Sequence, residues 1–144
     1  MSRAVNKGIN GELFRQIVET NENTPFYRLV GIKTAALAPG EAELVVEIGD
    51  QHTNPLGRVH GGLIASLADA AMGNAIRSLG ARAVTIDCSI SFLSSPPGGA
   101  LLVGKGKVVK AGRNIMFAEA TVYHQDTVVA CAQGSFFKVG VAEF

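Results

Sequence analysis

The chain has 144 residues and a formal net charge of +1, with 47% hydrophobic and 17% charged residues. A single domain over residues 1–144 is expected at this length, and the composition excludes a disordered segment. A near-neutral charge without a basic block gives no electrostatic reason to expect nucleic acid or a membrane as a partner. No apolar run reaches the roughly 18 residues of a membrane span, and the N-terminus has no apolar stretch of signal-peptide length. We therefore expect a cytoplasmic protein.

The hydrophobic pattern predicts two helices and six strands. Leu13, Ile17 and Val18 recur at helical spacing and indicate an amphipathic helix near the N-terminus, followed by a core over about residues 26–138. In chain order the predicted elements are a helix over about residues 10–21, strands over Phe26–Ala38 and Glu41–Ile48, a long helix over His60–Gly80, and strands over Val84–Phe92, Ala100–Lys110, Asn114–His124 and Thr127–Lys138.

The long helix determines the predicted architecture. Its stretch from Leu63 to Ile76 carries one charge and is apolar or small on nearly every face. A helix that is apolar all round must be buried all round. The simplest arrangement is an α+β fold in which an antiparallel sheet of about six strands curls around this one helix.

Regular alternation is predicted for the strand that follows the long helix. One face is expected to carry Val84, Ile86, Cys88, Ile90 and Phe92, and the other Thr85, Asp87, Ser89 and Ser91. Both cysteines, Cys88 and Cys131, lie in apolar strand-like runs with no CxxC pattern. We expect two buried, unpaired small hydrophobic residues and no disulfide.

Asp69 is the first candidate for chemistry. It is the lone charge inside the long helix, where Asp has a poor intrinsic propensity. Its neighbours one turn away, Ala65, Ser66, Met72 and Gly73, offer no cation. Asp69 either faces solvent or a polar loop, or it is a functional carboxylate in an apolar wall.

The start of the long helix is the second candidate. In His60-Gly61-Gly62, two glycines stand where the first free backbone N–H groups emerge, and the positive end of the helix dipole points the same way. Such a site can hold a carbonyl oxygen as it becomes an oxyanion. The alternative is a flexible helix cap.

The spacing of the two candidates argues against one site within one chain. From His60 to Asp69, nine residues span about 13.5 Å and 2.5 turns, which places them on opposite faces. If both serve one site, a second subunit must bring its Asp69 to the first subunit's helix start. A two-fold dimer then has two equivalent sites.

Other kinds of site have little support. No His, Cys, Asp or Glu residues have metal-ligand spacing, so neither a metal nor a cofactor is expected. The sequence lacks the motifs of nucleotide cradles and of nucleophilic serines. Basic residues gather around one predicted turn, either as a solvated hairpin tip or as a site for ligand phosphates; they are Lys105, Lys107, Lys110 and Arg113.

Four segments resemble the hotdog-fold acyl-CoA thioesterases, specifically their PaaI-like (phenylacetic acid degradation) branch. In Asn54–Gly73, NPLGRVHGGLIASLADAAMG, an Asn, the HGG tripeptide and an Asp have the family's spacing. The other segments are Thr85–Leu93, Val108–Ala120 and Ala130–Phe136, and the resemblance covers roughly residues 26–138. It implies a sheet wrapped around a long central helix, dimers that pair into tetramers, and hydrolysis of acyl-coenzyme A thioesters.

The resemblance also implies residue roles. Asp69 matches the acidic general base or nucleophile, and Gly61 matches the backbone N–H that polarises the thioester carbonyl. Asn54 matches the side chain that positions the water or the carbonyl, and His60 the residue that orders the surrounding loop. Thr85 stands where some members have a hydroxyl near the acidic residue. In the family, Asn54 and His60 of one subunit combine with Asp69 of a second subunit.

An aromatic or medium-chain acyl group is expected, because the pocket is predicted to be lined by small and apolar helix residues. The residues expected to bind substrate are Gly62, Ala65, Ala68 and Met72 on the helix, and Lys110 and Arg113 beside the coenzyme phosphates. Two other functions stay open. One is a hotdog hydratase or dehydratase acting on acyl thioesters, and the other is a non-catalytic acyl-CoA-binding protein.

Overall fold

The computed structural model describes residues 3–144, and in this range three α-helices accompany seven strands. The helices are α1 (Gly11–Asn23), α2 (Pro25–Val30) and α3 (Gly61–Arg77). The strands are β1 (Val5–Asn6), β2 (Lys33–Ala38), β3 (Glu41–Glu47), β4 (Ala81–Phe92), β5 (Leu101–Ala111), β6 (Ile115–His124) and β7 (Thr127–Val141). A 3₁₀ turn over Asp50–His52 follows β3.

The strands form one sheet in the order β1-β2-β3-β5-β6-β7-β4. The pair β1–β2 is parallel and the other neighbours are antiparallel. β4 therefore pairs only with β7 and forms an edge of the sheet. The sequence pattern predicts six strands, and the seventh is the two-residue β1, which is too short to show a hydrophobic period.

Helix α3 is buried against the concave face of this sheet, as its composition predicted. Leu67, Ala71 and Met72 are completely buried, and they pack with strand residues such as Leu102 and Phe136 in one apolar core. The partly exposed positions of α3 recur at helical spacing on one stripe. They include Gly62, Ala65, Ser66, Asp69 and Gly73.

Two glycines of β5 let the sheet approach α3 closely. A Cβ built on Gly106 would lie 2.2 Å from the carbonyl oxygen of Ala71, and one on Gly104 would lie 2.9 Å from the Leu67 side chain. The first contact is with helix backbone, which cannot move without shifting α3. These glycines therefore set the distance between the helix and the middle of the sheet.

A buried polar network joins the N-terminal helices to α3. The Asn74 amide donates to the Tyr27 hydroxyl at 3.0 Å, and the Asn21 amide donates to Asn74 Oδ1 at 2.9 Å. Arg77 donates to the side-chain oxygens of both asparagines. These bonds satisfy polar groups that would otherwise be costly to bury, and they fix α2 beside the helix that carries Asp69.

The prediction of a strand over Phe26–Ala38 was wrong in its first half. Pro25 begins α2, and Gly31, with φ of 92°, ends it by donating its N–H to the Tyr27 carbonyl. Proline suits a first helical turn, and glycine adopts the left-handed conformation that stops a helix. Only Lys33–Ala38 forms a strand.

The regular alternation predicted for β4 holds from Asp87 to Phe92 and breaks at Ile86. Thr85 pairs with Phe136 and Asp87 pairs with Ser135, so Ile86 is an extra residue in a β-bulge. Thr85 thereby lies on the helix-facing side, whereas Asp87 accepts a 2.5 Å hydrogen bond from the Ser135 hydroxyl on the outer side.

The cysteines are free, as expected, but they are exposed and not buried. Cys88 lies on the edge strand β4, and Cys131 lies on the outer face of β7 between Ala130 and Ala132, which are both buried. An apolar run in sequence was therefore a poor guide to burial on an edge strand or on the outer face of the sheet.

We predict that Gly106→Ala lowers the free energy of unfolding by about 1–3 kcal/mol, because the new methyl group overlaps the Ala71 backbone. Urea denaturation measures the change. Gly140→Ala in β7 is the control, since a Cβ there meets nothing within 4 Å. Equal midpoints for the two variants would contradict the close approach.

Candidate active site

Asn54 lies in the loop before α3, and its own side chain shapes that loop. Its Oδ1 accepts hydrogen bonds from the backbone N–H groups of Leu56, at 3.0 Å, and Arg58, at 3.1 Å. Because backbone N–H groups only donate, these bonds show which side-chain atom is the oxygen. The amide NH₂ group at Nδ2 has no protein partner in residues 3–144. Asn54 can therefore offer a hydrogen-bond donor to a ligand, and its acceptor is occupied.

His60 caps α3 and determines which N–H remains free. Its Nδ1 accepts from the Gly62 N–H at 2.7 Å, and its carbonyl accepts from the Leu63 N–H at 3.0 Å. The Gly61 N–H has no acceptor within the part of the chain that the structure describes. Of the two predicted glycines, Gly61 is thus the one whose N–H points out at the positive end of the helix.

Phe92, at the end of β4, covers this helix start, a site role that was not predicted from the sequence. Its ring lies 3.3 Å from where a Cβ on Gly61 would be, and 53% of the residue remains exposed. A side chain at position 61 would push the Phe92 ring away by a few tenths of an ångström. An exposed aromatic side chain beside a free N–H was not visible in the sequence, because 31 residues separate the two positions.

Asp69 is hydrogen-bonded to Thr85, the hydroxyl that the family resemblance places near it. The Thr85 hydroxyl donates to Asp69 Oδ1 at 2.8 Å, and Oδ2 has no protein hydrogen bond within the described range. The β-bulge at Ile86 makes this contact possible, because it directs Thr85 toward α3. Asp69 thus has one oxygen held in place and one available.

The charge of Asp69 affects the pKa of two other groups, the Tyr27 phenol and the Cys88 thiol. Burial raises the pKa of Tyr27, which the hydrogen bond from Asn74 opposes and the charge of Asp69 increases. Partial desolvation raises the pKa of the Cys88 thiol, and the charges of Asp69 and Asp87 raise it further. The phenol and the thiol are therefore protonated at neutral pH.

These residues form two separate groups in one chain. The amide half consists of Asn54, His60 and Gly61, and the carboxylate half consists of Asp69 and Thr85. Along α3, the eight residues from Gly61 to Asp69 span about 12 Å, too far for one reacting carbonyl to touch both. The folded chain brings Asp69 and Thr85 together but does not bring the two halves together.

The other predicted binding residues are more scattered. Ala65 is partly exposed on the stripe of α3 that carries Asp69, whereas Ala68 and Met72 are completely buried in the core. Lys110 and Arg113 are exposed around the turn between β5 and β6, and neither has an ion pair in residues 3–144. Lys105 differs, because it contacts Glu43 at 3.9 Å and lies over the Tyr123 ring.

Two other kinds of site are absent from residues 3–144. Among the described residues, no three His, Cys, Asp or Glu side chains are close enough together to hold a metal ion. In the same range, no helix has the length and apolar character needed to cross a membrane.

Known proteins match this chain in sequence and in structure. The family model of the thioesterase superfamily matches residues 56–131. Human acyl-coenzyme A thioesterase 13 is 31% identical over 116 residues, which cover 78% of this chain and 83% of the human protein. The structure of the E. coli PaaI protein from the phenylacetic acid degradation operon superposes with a TM-score of 0.86 at 25% identity, covering 94% of this chain and 99% of that one.

A third match carries a ligand. The Streptococcus mutans protein smu.793, solved bound to acetyl-CoA, has a TM-score of 0.74 and 31% identity over 78% of this chain and 91% of its own. These matches confirm the predicted α+β hotdog fold and the PaaI-like resemblance. The chain belongs to the thioesterase superfamily.

Proposed function

We propose that this protein hydrolyses acyl-coenzyme A thioesters to the free acid and coenzyme A, in sites that two copies of the chain share. The observation that carries the proposal is that one chain holds two incomplete halves of a hydrolytic site, set too far apart to act on one carbonyl. The free Gly61 N–H at the helix start suits a developing oxyanion. The Asp69 carboxylate, which has one oxygen held by Thr85 and one oxygen available, suits the activation of water. Each half lacks what the other has.

The edge strand β4 supports a shared site. Its outer backbone is unpaired, and three of its large apolar side chains are more than half exposed: Val84, Ile86 and Phe92. Such an edge is a template for pairing with another strand. If two copies pair antiparallel about a two-fold axis near the middle of β4, the Phe92 end of the strand in one copy lies beside the Thr85 end in the other. The amide half then faces the carboxylate half.

The stripe on α3 supports the same arrangement. Gly62, Ala65, Ser66 and Gly73 are small, so a second helix or a bound acyl chain could approach Asp69 closely across them. Pairing across β4 would cover this stripe and exclude water from the site. Further association into a tetramer, as the resemblance implies, would use other surfaces and leave these halves unchanged.

The residues divide the reaction between them. The thioester carbonyl oxygen accepts from the Gly61 N–H, which stabilises the negative charge that forms there. Asn54 donates from Nδ2 to the carbonyl or to the water, because its Oδ1 is occupied. Asp69, oriented by Thr85, takes a proton as water adds to the carbonyl carbon, and the coenzyme A thiolate leaves with the electrons of the C–S bond. Direct attack by Asp69, which would form an anhydride, requires the same placement.

Substrate recognition follows from what remains exposed. Lys110 and Arg113 carry uncompensated positive charge and suit the coenzyme phosphates. Phe92 beside Gly61 provides a flat apolar wall at the thioester, which suits an aromatic or medium-chain acyl group. The Gly62 N–H is bonded to His60 and is not available to the substrate. Gly62 therefore contributes to substrate binding only by leaving space at the helix start.

Asp69→Asn should abolish thiol release while acyl-CoA binding persists, because the amide keeps the shape but cannot take a proton. We expect kcat to fall by about 10²- to 10⁴-fold. The assay follows thiol release from aromatic, short, medium and long acyl-CoA esters, with Asp126→Asn at the exposed β6–β7 turn as the control. Full activity in Asp69→Asn would disprove the assignment of Asp69. A 2-enoyl product without free thiol would show a dehydratase, and binding without turnover by the wild type would show a binding protein.

Mixed dimers test whether the site is shared. Asn54→Ala and Asp69→Asn chains should each be nearly inactive alone. Random co-assembly makes half of the dimers mixed, and one of the two sites in each mixed dimer is intact, so activity should recover to about one quarter of wild type. Co-expression with two different tags shows that mixed dimers form. Mixed dimers without activity would place the whole site in one chain.

Lys110→Ala and Arg113→Ala together should raise KM about tenfold and change kcat little, because the phosphates lie far from the reacting carbonyl. The increase should shrink for a truncated pantetheine thioester that lacks the nucleotide phosphates. Arg15→Ala, on the exposed face of α1, is the control. An unchanged KM in the double variant would remove this turn from the binding site.

A further inference from the structure

His52 is a buried histidine whose ring is bonded at both nitrogens. Only 8% of the residue is exposed. Nδ1 accepts from the Gly49 N–H at 2.9 Å, and Nε2 lies 2.7 Å from the carbonyl oxygen of Val30. Since Nδ1 is an acceptor, Nε2 carries the proton and donates to Val30. The ring therefore ties the last residue of α2 to the chain leaving β3.

The backbone of His52 holds the other end of the same loop. Its carbonyl accepts from the His60 N–H at 2.7 Å, and Thr53 and Val59 form the next bridge inward. The hydrogen bond between His52 and His60 therefore closes the base of the loop over residues 53–59. Asn54 lies two residues beyond His52, and Gly61 lies one residue beyond His60.

We propose that His52 is a positioning residue for the amide half. It touches no reacting atom and acts through Asn54 and the cap that exposes the Gly61 N–H. This inference rests on the proposed function, because it assigns His52 to the same thioester site. A loop anchored by one buried ring places both donors relative to the sheet, and a displacement of about 1 Å at a reacting group can cost about 100-fold in rate.

Two conservative variants separate the ring's two bonds. His52→Asn retains an acceptor near Nδ1 and loses the bond to Val30, whereas His52→Gln retains a donor near Nε2 and loses the bond to Gly49. We expect each to lower kcat about 10- to 100-fold while KM changes much less, since the phosphate contacts lie elsewhere. His124→Gln at the end of β6 is the matched histidine control. Wild-type kcat in both His52 variants would overturn the proposal.

A double-mutant cycle distinguishes positioning from a loss of folded protein. If His52 acts through Asn54, adding His52→Gln to Asn54→Ala should lower kcat far less than His52→Gln does in the wild type. Added to Lys110→Ala, the same change should have its full effect. Equal effects in both backgrounds would show that His52 only supports the fold.

Amide hydrogen exchange tests the anchor without any substrate. The N–H groups of Asn54, Gly57 and His60 are bonded within or across the loop, and they should exchange faster in both His52 variants than in His124→Gln. Unchanged protection would overturn the anchor even in an active enzyme. Faster exchange in a protein that hydrolyses no thioester would instead retain the anchor and refute the proposed function.

Discussion

The burial of α3 is the constraint on which the rest of the structure depends. An apolar helix of 17 residues must be removed from water on nearly every side, and hydrophobic burial is the dominant favourable term in folding. The sheet covers its largest face, and Gly104 and Gly106 bring β5 against the helix backbone. The stripe of α3 that stays partly exposed consists mostly of residues with small side chains, and it carries Asp69.

The same helix supplies both of the electrostatic elements of the proposed site. Its first turn presents an unpaired N–H, and its middle presents a carboxylate two turns further along. Because a helix is rigid, a single chain cannot bring these elements closer. The distance between them is therefore set by the helix geometry, and in the shared site that we propose, a second copy at the exposed edge of β4 supplies the missing half. The stability of the core, the placement of the two reactive groups and the proposed association therefore all depend on the buried helix α3.

Local patterns in the sequence predicted a large part of this arrangement. The apolar run after HGG identified the central helix, and Asp69 stood out because it was the single charge in that run. The strand over Phe26–Ala38 was wrong because Pro25 and Gly31 bracket a helix too short to show a 3.6-residue period. Burial of the cysteines was wrong because burial depends on a strand's place in the sheet, which its own residues do not record.

The sequence by itself determined the helix, its capping histidine and the spacing of Gly61 and Asp69, because these follow from neighbours within a few turns. The tertiary structure decided which side chains meet them. The pairing of β4 with β7 created the bulge that turns Thr85 toward Asp69, and it placed Phe92 over Gly61. The packing of α2 beside the 3₁₀ turn placed Val30 on the ring of His52. Such contacts join residues that are distant in the chain, so only the packing of the sheet around α3 brings them together.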